Sequence, residues 1–229
     1  MPITTYQSFT SFVNGWLIRH RYFVEQLKCA SSFDETNRIA VEEQRSLVTQ
    51  FLSHCLQYYQ EKSASVSVAG DNVFTFFCPP WFNSYAKLIL WVGDCRPSLV
   101  FKLTEASVED LTRHQKDRIL TLRSETRRKE RDVMRDFALV QQSVADPPVM
   151  LAARRVGAVG MVDGEESRLE EAMEVLKSGM AAAMNNADQL RCSTVGKVVE
   201  ILTPSQAIKV LRTIGELHLH LRDMGSEGA

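Results

Sequence analysis

The side chains best suited to chemistry are five histidines and five cysteines, and their spacing limits what they can do together. His218 and His220 lie two residues apart on a predicted helix, so their side chains point about 200° away from each other. They cannot bind one metal ion together, and we expect one to face inward and the other to face solvent. The cysteines are scattered, odd in number and contain no C-x-x-C pair. This spacing excludes a zinc finger and a secreted disulfide framework.

Recognisable catalytic and nucleotide-binding motifs are absent from the sequence, including the P-loop, G-x-G-x-x-G, G-x-S-x-G and H-E-x-x-H. His54 lies beside Cys55 inside a predicted helix, without a third polar group to orient a catalytic pair. Acidic pairs such as Glu42 and Glu43 lie among polar residues, which is typical of an exposed surface. The sequence therefore favours a protein that is not an enzyme.

The overall composition is that of an ordinary globular domain, with 45% hydrophobic and 24% charged residues among 229. The 27 basic and 28 acidic residues give a net charge of −1, which disfavours direct DNA binding because phosphate recognition usually needs a basic excess. The N-terminus lacks the pattern of a signal peptide, and the longest apolar run, Leu88–Val92, is too short for a membrane span. We therefore expect a nuclear or cytoplasmic protein.

One charged run, residues 123–136, invites a DNA-binding interpretation because it contains six basic residues. Four acidic residues are mixed among them at helical spacing, and no leucine heptads follow. A bZIP basic region would have the opposite properties. The run therefore predicts a solvated helix surface.

Apolar residues recur mainly at helical spacing, which predicts an all-α, single-domain, multi-helix bundle with a long central helix. We place this domain at residues 6–225 and expect a flexible connection at about 147–167, where three glycines occur. The capping box at 203–206 predicts the start of the last helix, and residues 107–110 resemble a second capping box that would start the central helix. Strand candidates are short and confined to 65–68 and 73–77. The predicted helices span about 8–28, 35–61, 83–92, 107–144, 168–190, 193–202 and 203–224, and Pro97 is predicted to open one more.

The segment Trp81–Leu103 resembles the hallmark of the plant delay-of-germination, or seed dormancy control, family. In that family a Trp precedes a helix that ends in a Leu-Trp-hydrophobic-Gly turn followed by Arg-Pro-Ser. Residues 139–146 and 188–207 resemble two later family signatures, and Phe12 with Trp16 is similar to the opening helix. The same domain forms the C-terminal half of TGA-type bZIP factors, and this chain resembles the stand-alone branch. We predict that the hallmark residues hold the fold together; they are Trp81, Trp91, Gly93, Arg96 and Pro97.

The resemblance implies a regulator of seed dormancy and abscisic-acid responses that binds partner proteins, notably clade A type 2C protein phosphatases. The family's partner-binding segment is N-terminal, and here the apolar residues Phe9, Phe12 and Trp16 are the predicted anchors. Ordinary core packing is the alternative for all three residues. A second hypothesis is a transcriptional regulator associated with TGA-type bZIP factors or with DNA. Homo-oligomers remain open.

A third hypothesis is a sensor that holds haem or another apolar ligand between helices. The resemblance implies haem bound by two histidines four residues apart in the last helix. His218 matches the first position and is the one candidate haem ligand, but the second position falls on Arg222. Two-histidine ligation is therefore not expected.

Overall fold

The computed structural model describes residues 5–31, 38–143 and 165–223. Within these ranges the chain forms helices and no strand, which confirms the predicted all-α class. Of the connection predicted at 147–167, residues 147–164 lie outside the described residues. Residues 165–167 belong to a helix. The α-helices are α1 (Thr5–Ala30), α2 (Arg38–Ser67), α3 (Ser84–Ile89), α4 (Leu99–Ser107), α5 (Arg113–Ser143), α6 (Glu165–Ile201) and α7 (Pro204–Asp223), with a 3-10 helix at Gly70–Phe77.

The last helix, α7, lies at the centre of the packing because it contacts α1, α2 and α4, while α5 packs along α6. Two large apolar clusters fill the interior. The first is built around the buried side chains of Phe51, Phe101 and Leu211, and the second around Phe76 and Met184. Burying these faces is what stabilises the helices, since isolated helices are marginal in water.

Two capping boxes begin the helices α5 and α7. At the predicted one, Thr203 N–H donates to Gln206 Oε1 (3.1 Å) and Gln206 N–H donates to Thr203 Oγ1 (3.3 Å). At α5 the corresponding pair is Thr112 and Gln115, with distances of 3.0 and 3.2 Å. Gln115 Nε2 also donates to Gln206 Oε1 (2.8 Å), so the two helix starts are joined.

The predicted cap at 107–110 is wrong, because Ser107 ends α4 instead of starting the central helix. Its hydroxyl donates to Leu103 O (2.6 Å) within α4 and contacts the hydroxyl of Thr213 on α7 (2.8 Å). Ser107 is thus the last residue of α4, and its hydroxyl is directed back along that helix and towards α7. The signal that starts α5 is therefore Thr112, five residues later.

Both strand candidates are also wrong. Residues 65–67 complete α2, and residues 73–77 lie in the 3-10 helix. The 3-10 helix has three residues per turn, so Val73 and Phe76 point to the same side and both are buried. A short apolar run cannot be assigned to a strand or a helix from periodicity alone. The two helices predicted at 168–190 and 193–202 form one continuous helix, α6.

Gly215 lies where α7 approaches α1 closely. A Cβ atom on this residue would lie 2.6 Å from Val24 Cγ2 and 3.3 Å from Phe51 Cζ. Val24 is buried, and a valine in a helix has essentially one favourable χ1 rotamer, so it cannot move aside cheaply. The absence of a side chain at Gly215 therefore sets the distance between the two helices.

We predict that Gly215→Ala lowers the free energy of unfolding by about 1–3 kcal/mol, because overpacking outweighs the better helix propensity of alanine. The matched control is Gly196→Ala in α6, where a Cβ would meet nothing within 4 Å. That change should raise the free energy of unfolding by about 0.4–1 kcal/mol. Urea denaturation measures both, and equal effects of the two substitutions would contradict the packing argument.

Candidate functional site

The hallmark segment forms a tight turn after α3. Trp91 N–H donates to Asp94 O (2.7 Å), and the two central residues, Val92 and Gly93, have φ angles of 48° and 79°. Positive φ at both central positions is typical of a type I′ turn and favours glycine. At Gly93 a Cβ would also lie 2.6 Å from the carbonyl oxygen of Phe76. Conformation and space therefore both select glycine here.

Arg191 of α6 binds this turn from the inside of the protein. Its Nη2 donates to the carbonyl oxygens of Trp91 and Val92, and its Nε donates to Cys95 O (2.7 Å). The guanidinium carbon lies 5.3 Å from the centre of the Trp91 ring, and Nη1 donates to the carboxylate of Asp188. One buried guanidinium thus binds three backbone carbonyls of this segment, of which Trp91 O also accepts from Asp94 N–H (3.4 Å) within the turn.

Three further charged groups complete this buried cluster. Lys62 of α2 is fully buried, and its Nζ lies 3.0 Å from Asp188 Oδ2. The Asp94 carboxylate accepts from Cys95 N–H (2.7 Å). Burial alone would raise the pKa of the Asp94 carboxyl, but the positive charges of Arg191 and Lys62 outweigh it and hold that pKa below its ordinary value. Two cations and two anions therefore compensate one another inside the protein.

The remaining hallmark residues lie around this cluster. Trp81 is half-buried and meets the Phe9 ring edge-on, with ring centres 5.4 Å apart. Pro97 is buried just before α4, whereas Arg96 is exposed with its guanidinium 5.9 Å from the Trp91 ring. The arginine that holds the turn is Arg191, which the sequence reasoning missed. The one signal in the sequence that could have identified it is a basic residue on an otherwise apolar helix face.

The predicted partner anchors on α1 lie mainly inside the protein. Phe9 and Trp16 are 2% and 1% exposed, and Phe12 is half-buried against the Phe9 ring. Trp16 Nε1 donates to the carbonyl oxygen of His54 (2.9 Å), so the polar group of this side chain is already hydrogen-bonded inside the protein. A partner-binding role for the three residues stays a prediction, and in this conformation Phe9 and Trp16 contribute to the core. From position 8 onwards, the large apolar residues that α1 exposes are Ile18 and Tyr22.

Three histidines from α1, α2 and α7 meet beside Trp16. The ring centre of His20 lies 5.3 Å from that of His54 and 5.7 Å from that of His218. Burial, the largest cause, lowers the pKa of His20 to about 2 and the pKa values of His54 and His218 to about 4, with nearby positive charge adding to the effect. His220 is exposed, as expected for residues two apart on a helix.

The residues around His218 do not fit two-histidine haem ligation. Arg222 stands at the second position, and its guanidinium carbon lies 5.0–5.4 Å from the ring centres of Trp16, Tyr58 and Phe82. A guanidinium held between aromatic rings supplies no axial ligand. The apolar cavity next to His218 has a volume of about 220 Å³. This is below the range of roughly 300–1,000 Å³ that is typical of small-molecule sites.

The buried thiols are poorly suited to nucleophilic chemistry. Burial raises the pKa of Cys55 and Cys95 to about 12 and that of Cys192 to about 11, so the reactive thiolate is scarce at neutral pH. Within residues 5–31, 38–143 and 165–223, no group of three or more His, Cys, Asp or Glu side chains could hold a metal ion. In the same ranges, no helix is long and apolar enough to cross a membrane.

We predict that Arg191→Lys lowers the free energy of unfolding by about 3–5 kcal/mol, because an ammonium cannot reach three carbonyls and leaves buried polar groups unpaired. Arg135→Lys is the matched control, since Arg135 lies on the surface of α5 and its ion pair with Asp132 is exposed. That change should stay within about 0.5 kcal/mol. Chemical denaturation of both variants decides the matter, and similar losses would refute the special role of Arg191.

We also predict that acid destabilises the protein through the buried histidines. Below pH 6.5 the unfolded chain takes up protons that the folded protein excludes, so stability is complete above pH 6.5 and falls as the pH drops towards 4. Each such histidine contributes up to about 1.4 kcal/mol per pH unit. His54→Phe should flatten the pH dependence of the unfolding free energy between pH 7 and 5, whereas the exposed control His220→Gln should not. Equal slopes in both variants would count against this mechanism.

Comparison with known proteins supplies the family. The DOG1 family, described as seed dormancy control, matches residues 24–106. Protein RESPONSE TO ABA AND SALT 1 of Arabidopsis thaliana is 86% identical over 230 residues, covering 100% of both chains. Protein ZW2 of the same plant is 57% identical over 226 residues, covering 98% of this chain and 100% of its own.

A more distant similarity connects the chain to transcription factors. Arabidopsis transcription factor TGA4 is 29% identical over 187 residues, which are 82% of this chain and 48% of TGA4. The family match at residues 24–106 includes the hallmark turn described above, and the full-length matches leave no large part of the chain outside the comparison. The chain therefore belongs to the DOG1, or seed dormancy control, family.

Proposed function

We propose that this protein is a non-enzymatic regulator of abscisic-acid and salt responses in plants, including seed dormancy, and that it acts by binding partner proteins. The observation that carries the proposal is the 86% identity, over the full length, with a protein named for its response to abscisic acid and salt. The names of the wider family also point to regulation.

The geometry supports binding more than catalysis. The strongest buried charges, Lys62, Asp188 and Arg191, are engaged with one another or with the backbone of the hallmark turn. The three histidines are packed among aromatic rings, and their lowered pKa values keep them neutral at physiological pH. The fold accounts for these buried charges and shifted pKa values, so a catalytic reaction is not needed to explain them.

A type 2C protein phosphatase is the proposed partner class, and the N-terminal helix is the proposed surface. Phe9 and Trp16 are buried, so first contact would fall to Ile18 and Tyr22, which lie one turn apart on the exposed face of α1. Exposed apolar pairs on a helix are common anchors for a partner's groove. Phe12, which is half-buried beside Phe9, could extend this surface towards the N-terminus.

A second candidate function is regulation of transcription through TGA-type factors, in the nucleus or shared between nucleus and cytoplasm. The similarity to TGA4 over 82% of this chain supports it, because related domains often associate with one another or compete for the same partner. The net charge of −1 argues that such regulation acts through protein contacts and not through direct DNA binding.

We predict that plants lacking the gene differ from wild type in germination on abscisic acid and on salt, and that the intact gene restores the response. Ile18→Ser with Tyr22→Ser should fail to restore it, and the purified double variant should bind a type 2C phosphatase at least tenfold more weakly, equivalent to about 1.4 kcal/mol. Isothermal titration measures the affinity, with a TGA factor as the parallel partner.

The matched control is Leu120→Ser with Leu139→Ser, two exposed apolar residues on α5. Both double variants must show the thermal unfolding of the original protein. A normal germination response in plants without the gene would refute the proposed pathway. Unchanged affinity in the α1 variant would remove Ile18 and Tyr22 from the binding surface.

A further inference from the structure

A groove of about 870 Å³ lies between α3, α4 and α5, on the outer side of the hallmark turn. Its apolar part includes Leu88, Ile89 and Met134, and its basic part includes Arg96, Lys102, Arg127 and Arg131. We call it the α3–α5 groove. Apart from Arg96, which lies against the Trp91 ring, neither the core nor the proposed α1 surface uses these side chains.

The apolar part of the groove is exposed to an unusual degree. Leu88 and Ile89 of α3, which line the groove, are 83% and 50% exposed, and the neighbouring Tyr85 is 68% exposed. Only Ala86 of this helix is buried, because α3 is short and touches α7 along one side. Exposed apolar side chains that lie together and are flanked by polar residues are typical of an interaction site.

The basic part of the groove follows from the spacing of α5. Arg123, Arg127 and Arg131 lie four residues apart, about 6 Å per step along the helix, and all three line the groove. Arg123 is neutralised by Glu105 of α4. Arg127 and Arg131, together with Lys102 of α4, have no carboxylate partner among the described residues.

Glu105 and Glu130 are the acidic residues that line the groove, against five basic residues. Glu130 is buried, and its carboxylate accepts from Ser98 N–H (2.7 Å) just before α4. Asp132 and Asp136 pair with Arg135 on the surface of α5, and neither lines the groove. Helical geometry therefore places the charges of residues 123–136 on different sides of α5, and more positive than negative charge faces the groove.

We propose that the α3–α5 groove binds an acidic amphipathic helix of a partner protein. Such a helix would place leucine-like residues on Leu88, Ile89 and Met134, and its carboxylates, one turn apart, would match Arg127 and Arg131. This proposal rests on the proposed function only in requiring a protein partner, and its surface is distinct from Ile18 and Tyr22.

A nucleic acid fits the groove less well. Phosphates would find the cations, but they would leave the exposed apolar residues of α3 in contact with water. The chain as a whole also lacks the basic excess that favours a polyanion, with a net charge of −1. An occupant that combines negative charge with apolar side chains uses both halves of the groove.

The test uses a fluorescein-labelled 20-residue helical peptide that carries glutamate at every fourth position beside a leucine stripe, and fluorescence anisotropy with the full chain. We predict saturable binding that weakens with salt and becomes at least about tenfold weaker in Arg127→Glu with Arg131→Glu, because charge reversal turns attraction into repulsion. Leu88→Ser with Ile89→Ser should weaken it through the apolar half.

The matched control is Arg128→Glu with Lys129→Glu, which makes the same change in net charge on exposed residues of α5 that do not line the groove. Control peptides replace every glutamate by lysine or every leucine by glutamine, and a 20-base-pair DNA duplex tests the nucleic-acid alternative. Thermal unfolding verifies that each variant is folded.

Three results would overturn the proposal: no binding of the acidic peptide, equal loss in the groove and control variants, or tighter binding of the DNA duplex through Arg127 and Arg131. None of them bears on the proposed function, which is tested by germination and by phosphatase binding through α1. Conversely, peptide binding in the groove would stand even if the α1 surface proved inactive.

Discussion

The rest of the structure depends on the contact between one buried guanidinium and one turn. Arg191 holds the carbonyl oxygens of Trp91, Val92 and Cys95 and shares Asp188 with Lys62, so it connects α6 to α2 and to the segment between α3 and α4. Buried charges are expensive to desolvate, and their value lies in excluding other arrangements more than in net stability. The hallmark segment Trp81–Leu103 contains the turn that this buried cluster holds in place.

Much of the fold follows from the sequence, and the exceptions have physical reasons. The helical periodicity of α1, the cap formed by Thr203 and Gln206, and the opposite facing of His218 and His220 all depend on neighbours in the chain, so they could be predicted. The contact between Arg191 and Trp91 joins residues 100 positions apart, and no local pattern encodes it. The end of α4 at Ser107 depends in the same way on a contact with Thr213 of α7, which no local pattern encodes.

The candidate binding surfaces show that an apolar residue is not always accessible to a partner protein. Phe9 and Trp16 are the most prominent aromatic residues of α1, yet packing occupies them, whereas Ile18, Tyr22 and Leu88 remain in contact with water. Composition identifies residues that prefer burial, and only the three-dimensional arrangement shows which of them lack a partner within the chain. Two separate surfaces on one small domain would allow two proteins to be held at once.

The amide contact between Gln115 and Gln206 has a consequence for motion. It joins the first turns of α5 and α7, 91 residues apart. Gln115 Nε2 also donates to Ile201 O (3.0 Å), which ties the end of α6 to the same side chain. Three helix termini thus share one set of hydrogen bonds. Fraying, which normally affects each helix end independently, should here be cooperative, and the amide protons of the three ends should exchange with solvent as one unit.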